Sequence, residues 1–150
     1  MSLRRRQSTR SRRSVLALLI LLGCGPFDPP TGPTIWEAII DFTGTSPIIA
    51  SDTARLGHDY LVKVISTAET CMDTVATTVR YEGAIAILGP RIRPLSAEEG
   101  GDVCLPRMGG LEHRATLRFE FLGPATLRVE AKSPAGAPVT FEKAITVAAP

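Results

Sequence analysis

Alternation with a period of two restricts this chain more than any other feature. Leu117, Phe119 and Phe121 interleave with Thr116, Arg118 and Glu120; Leu127, Val129 and Ala131 interleave with Arg128, Glu130 and Lys132. Tyr60, Val62 and Val64 alternate with Leu61, Lys63 and Ile65. Val75, Thr77, Val79 and Tyr81 form another such run, and Trp36, Ala38, Ile40 and Phe42 share one face opposite Glu37 and Asp41. Successive side chains of a strand point to opposite faces, so this period suits half-buried strands rather than an amphipathic helix. Ile85 and Ile87 follow Gly83, and Phe141, Ile145 and Val147 supply a last apolar set. Between the runs stand Gly57, Gly83, the Leu-Gly-Pro triplets at 88–90 and 122–124, and Ser-Pro-Ala-Gly-Ala-Pro at 133–138. Glycine and proline at such intervals punctuate strands. Seven or eight strands in about 115 residues predict an all-β fold, a single antiparallel β-sandwich.

The first 23 residues follow a different rule. Arg4, Arg5, Arg6, Arg10, Arg12 and Arg13 precede an unbroken apolar run, Val15–Leu22, with no acidic residue among them. A basic start, a short greasy core and a small residue before a cut make a secretory signal. The run is much shorter than the roughly 20 residues that span a bilayer as a helix. Removing residues 1–23 leaves eleven basic against fifteen acidic side chains, so the basic balance of the whole chain belongs to the signal. With no basic excess in the mature domain, nucleic acid is not an expected partner.

Leu21-Leu22-Gly23-Cys24 resembles the lipobox of bacterial lipoproteins, with Leu22 where a smaller residue is commoner. The resemblance implies cleavage before Cys24 and a diacylglycerol with palmitate-type chains on its sulfur. The membrane partner would then be reached through that lipid, since two acyl chains hold durably where one does not. Gly25 follows, with no Asp to retain the product in an inner membrane, so the implied destination is the outer membrane or the periplasmic face. Ser11-Arg12-Arg13-Ser14-Val15-Leu16 also resembles a twin-arginine export signature, but the leucine-rich core suits the general secretory route. Gly25–Pro33, with four prolines, reads as a spacer. The expected organisation is a signal at 1–23, a lipidated cysteine and linker at 24–33, and a sandwich domain at 34–150.

The stretches 48–64, IIASDTARLGHDYLVKV, and 116–131, TLRFEFLGPATLRVEA, resemble immunoglobulin-like domains of exported bacterial proteins. The likeness covers most of residues 46–149 and implies the architecture alone. Trp36 precedes both remaining cysteines, so the antibody pattern of a tryptophan between two core cysteines is absent.

With Cys24 spent on lipid, Cys71 and Cys104 form an even pair, which in an oxidising compartment implies a disulfide. It closes a loop of about 34 residues and contributes about 3 to 4 kcal/mol in the chain-entropy model. A metal site is the alternative: His58 and His113 with Cys71 and Cys104 supply suitable ligand types, although no C-x-x-C or H-x-x-x-H spacing is present. No cofactor-binding motif occurs, and Gly44-Thr45-Ser46-Pro47-Ile48 falls short of a nucleophile elbow. Each histidine follows or precedes an acidic residue at an expected strand entrance and reads as a solvated or capping side chain.

The segment Arg91–Gly110 reads as a long loop, and long loops in compact domains carry function. It is the candidate binding segment. Glu98, Glu99 and Asp102 offer carboxylates, in no known Ca²⁺-loop spacing, and Arg91, Arg93 and Arg107 could meet an acidic partner. The expected function is a lipid-anchored, non-enzymatic binding or structural module of the cell envelope, with an envelope protein or glycan as partner. The second expectation is a small envelope metal protein or enzyme using His58, His113, Cys71 and Cys104.

Overall fold

Two units divide the chain, residues 1–32 and 33–150. The computed structural model describes residues 34–41, 44–67, 71–99 and 110–150. The expected signal, Cys24 and the 24–33 linker lie outside the described residues, as do Asp102, Cys104 and Arg107.

The described part of the second unit is all-β, in two sheets packed together. Nine strands are present: β1 (Trp36–Glu37), β2 (Ile48–Ile49), β3 (Thr53–Arg55), β4 (Tyr60–Ser66), β5 (Met72–Glu82), β6 (Ile85–Pro94), β7 (Leu111–Leu117), β8 (Gly123–Lys132) and β9 (Pro138–Ala148). The larger sheet runs β1-β6-β8-β9-β3, with β5 flanking β6, and the smaller runs β2-β4-β7. The alternation read from sequence is what sorts the side chains. Tyr60, Val62 and Val64 point inward from β4, and Ala125, Leu127, Val129 and Ala131 from β8. Gly83 sits at φ 58 in the two-residue turn between β5 and β6, a backbone conformation that side chains resist.

Two sequence expectations are corrected. The sandwich is not wholly antiparallel: β6 runs parallel to β8, and β3 parallel to β9. Between β6 and β8 the chain crosses into the smaller sheet to form β7, so it returns to the larger sheet in the same direction. The strand expected at 116–121 lies instead at 111–117. Its apolar period continues past the strand end because the chain must turn from one sheet to the other there. Phe119 is carried into the core, where Tyr60, Tyr81 and Phe121 meet it edge-on at 6.0, 6.3 and 5.9 Å.

The core has two parts. The main cluster lies between the sheets and includes Val62, Leu88, Leu117, Phe119, Leu127, Val129 and Ile145. A smaller one joins Ala38, Met72, Ile92 and Leu111 at one end of the strands. That end gathers several segments through the pairs Trp36↔Ile92, Met72↔Pro94, Ser66↔Leu111 and Lys132↔Pro138. The Thr67 amide donates to the Ile39 carbonyl, and the Ile40 amide to that of Lys132, which ties the two sheets together at this end.

Candidate functional site

The end of the sandwich where the domain begins carries most of the side chains that sequence reading singled out. Arg91 and Arg93 do not lie in a loop: they belong to β6, which continues to Pro94. The strand persists because β5 pairs with it from Ile85 to Pro94, with one irregularity at Pro90, and β1 covers Arg91 and Ile92 from the other edge. Arg91 is exposed. Arg93 meets Glu99 through two nitrogens at 2.7 and 2.6 Å, with Asp73 at 3.8 Å. Its expected acidic partner is therefore within the chain.

Glu98 and Glu99 sit in a short 3-10 turn, Ala97–Glu99. Ser96 caps it. The Ser96 amide donates to the Glu99 carboxylate at 3.0 Å, and the Glu99 amide donates back to Ser96 Oγ at 3.3 Å. This reciprocal pair is a capping box, legible in Ser96-Ala97-Glu98-Glu99 but not read there. The Arg93 guanidinium first, then Ser96, holds the Glu99 carboxyl down to about 2. Both glutamates are exposed, and Glu99 is committed to Arg93 and Ser96.

Cys71 stands at the turn before β5 with φ 66, an uncommon conformation for a residue with a Cβ. It is not without a partner. Its carbonyl accepts from the Leu95 amide at 2.8 Å, which ties the Cys71 turn to the base of the segment leading toward Cys104.

Beside this base opens a cleft of about 400 Å³, lined by Ile35, Trp36, Ile92, Lys132, Ser133 and Pro134 among others. The alternation puts Trp36 on one face with Ala38 and Ile40. Those two are buried, but Trp36 is 45% exposed because β1 is only two residues long and ends the sheet here. Lys132 Nζ reaches Glu37 at 3.4 Å on the cleft wall. Period-two reading cannot distinguish an inward residue in mid-strand from one at the strand's open end. That is why Trp36 and Lys132 went unread as site residues.

The two histidines part company. His58 is exposed in the turn before β4. His113, far from being a solvated strand-entrance residue, is buried at 1% exposure inside β7, and Ser66 Oγ lies 2.8 Å from its Nε2. Desolvation lowers its pKa to about 4, so it is neutral at ordinary pH. Its Nδ1 and the Thr77 hydroxyl find no hydrogen-bond partner among the described residues. A second cleft, of about 450 Å³, separates Thr74–Ala76 of β5 from Glu112–Arg114 of β7 at the irregularity between Val75 and Thr78.

His58 precedes Tyr60, which pairs with Leu117; His113 pairs with Val64. At about 3.3 Å per residue the two rings are roughly 15 to 20 Å apart along the ladder. A shared zinc ion needs its ligand atoms about 2 Å away, so one metal cannot hold both. No group of three metal-ligating side chains occurs among the described residues. Ser66 and His113 have the spacing of a nucleophile and its base, but both face the core, and no carboxylate orients Nδ1 among the described residues.

No family model, no curated protein and no solved structure matches the chain.

Proposed function

We propose that the mature chain is a lipid-anchored, non-enzymatic binding module of the bacterial cell envelope, held by acyl chains on Cys24 at the outer membrane or its periplasmic face. One observation carries this reading. The beginning of the domain, the Cys71 turn, the base of the segment after Pro94 and the Trp36 cleft all meet at one end of the sandwich. On this reading the attachment side and the candidate binding surface coincide.

A disulfide between Cys71 and Cys104 completes this reading. It is supported by the partnered state of Cys71 and by the cysteine arithmetic of an exported chain. Such a bond pins the segment carrying Asp102 and Arg107 to the end that holds Trp36. The sandwich is read as a divergent immunoglobulin-like one, supported by the β4–β7 and β8–β9 antiparallel pairs in separate sheets, with the parallel β6–β8 pair as its departure.

The test is direct. The native chain carries an acyl mass on Cys24, gains two protons on reduction, and leaves the membrane fraction in the Cys24→Ala variant. A Cys24→Ala chain that stays in the membrane fraction refutes the anchor.

A further inference from the structure

We propose that the Trp36 end of the domain seats on the headgroup region of the bilayer that carries the anchor, with Trp36 as the inserted side chain. The proposal rests on the lipid-anchored reading above and names the occupant of the Trp36 cleft: phospholipid at the membrane–water interface.

Three observations carry it. Ile35 and Trp36 are consecutive large apolar residues, 48% and 45% exposed, at the point where the described domain begins. A lipid surface covers both, and indole is suited to it: the ring body is apolar while its N–H stays wet, which is why tryptophan concentrates at membrane interfaces.

The second observation is reach. Trp36 lies twelve residues after Cys24. Twelve residues span at most about 40 Å even fully extended, so an anchor on Cys24 confines this end to the neighbourhood of the bilayer. Of the other exposed large apolar side chains, Tyr81 and Leu122 belong to the opposite end, Leu61 stands next to it at the start of β4, and Ile49 and Val79 lie within β2 and β5. The strands that separate the ends reach eleven residues, or about 35 Å. Tyr81 is moreover engaged, accepting from the Arg118 amide at 3.2 Å and meeting Phe119 edge-on.

The third is the polar rim. Lys132 borders the cleft with an exposed ammonium group, and Ser133 and Pro134 follow in the β8–β9 turn. A lysine stem lies along apolar surface while its head reaches a phosphate, and Glu37 holds that head at the cleft until a phosphate takes its place. Seating this end turns Leu56–Asp59, Gly83 and Arg118–Leu122 toward the aqueous side.

Trp36 is the sole tryptophan, so its fluorescence reports this end alone. The native acylated full chain is reconstituted in phosphatidylcholine vesicles and in vesicles of the same lipid brominated on its acyl chains. The expected result is a loss of Trp36 emission in brominated vesicles, with less quenching by aqueous acrylamide than for the Cys24→Ala chain in solution. Equal emission in both vesicle types overturns the proposal. So does a shift of Trp36 emission by a soluble N-acetylglucosamine oligomer without any bromolipid quenching, which assigns the cleft to a glycan. If mass spectrometry finds no acyl group, a chain with a hexahistidine tag replacing residues 1–24 is docked on nickel-chelating lipid in both vesicle types. Quenching there upholds the seat while the anchor reading falls; its absence overturns both.

Discussion

The two apolar clusters of this domain are built in opposite ways. The main cluster joins seventeen buried residues from both sheets and is closed by the aromatic contacts around Phe119. The cluster at the Trp36 end has four. Around it stand individual polar links rather than bulk packing: Ser66 to His113, Arg93 to Glu99, Leu95 to the Cys71 carbonyl, and Lys132 to Glu37. A region held by a few polar links opens at lower free energy than one held by bulk packing, and surfaces that bind or move are drawn from such regions. The difference assigns stability to one part of the sandwich and adaptability to the other.

Core truncation gives the largest contrast. Phe119→Ala removes the ring on which three other aromatics converge, and we expect a loss of about 3 to 5 kcal/mol. Leu111→Ala, in the four-residue cluster beside the cleft, is expected at the low end of the range for such truncations, about 2 kcal/mol, because that site can collapse toward solvent. Urea unfolding of both variants decides it. Equal losses would mean that the two clusters are one core, and the contrast would fail.

Reduction acts on the other region. Breaking the proposed Cys71–Cys104 bond is expected to remove about 3 to 4 kcal/mol of global stability, because it frees a closed loop in the unfolded chain. Its local signature is sharper. Amide exchange should rise at Leu95, Ser96 and Met72 while Val62, Leu127 and Val129 keep their protection. Uniform exchange across both sheets on reduction would show that the proposed bond serves the whole sandwich rather than its Trp36 end.

Acid reaches the same end through His113. Its folded pKa is depressed to about 4 by burial, against 6.5 for the exposed ring. At pH 7 the ring is neutral folded or unfolded, so stability is intact. As pH falls from 6.5 toward 4 the unfolded chain binds a proton that the folded chain refuses. The loss accumulates across that window to about 3 kcal/mol. Urea midpoints at pH 7, 5.5 and 4 measure it. A Ser66→Ala, His113→Leu double variant removes both partners of the hydrogen bond and should flatten that part of the profile.

Much of the all-β architecture was legible in the sequence, since the inward positions of β4 and β8 are those that the period of two selected. The parallel pairing of β6 with β8 was not, because alternation fixes which face a residue takes and says nothing about which strand lies beside it. The candidate site was legible only as a neighbourhood. The sequence shows Arg93 and Glu99 as charges, but their mutual hydrogen bonds depend on β6 running on to Pro94 and on the Ser96 cap. Burial of His113 follows from β7 beginning at Leu111, which the Gly109-Gly110 punctuation hid. The alternation groups Trp36 with the buried Ala38 and Ile40 because nothing in it marks the open end of a two-residue strand.

The smallest expected effect is the most discriminating. Glu99 is tied to Arg93 and Ser96 by short charge-assisted hydrogen bonds, yet the whole group stands at the surface, where ion pairs add little to global stability. Glu99→Gln should therefore leave the urea midpoint unchanged within error. It should speed exchange of the Ser96 and Glu99 amides and loosen the base of the segment toward Cys104. Because the carboxyl sits at about 2, it remains ionised throughout the window in which His113 titrates, and the clamp survives until pH falls through that value. An exchange profile at pH 4 with the clamp amides still protected while those near Ser66 and His113 open would separate the two links. If Glu99→Gln lowers the midpoint as far as reduction does, charge rather than sulfur holds the Trp36 end, and the division between a packed region and a tied one must be redrawn around Arg93.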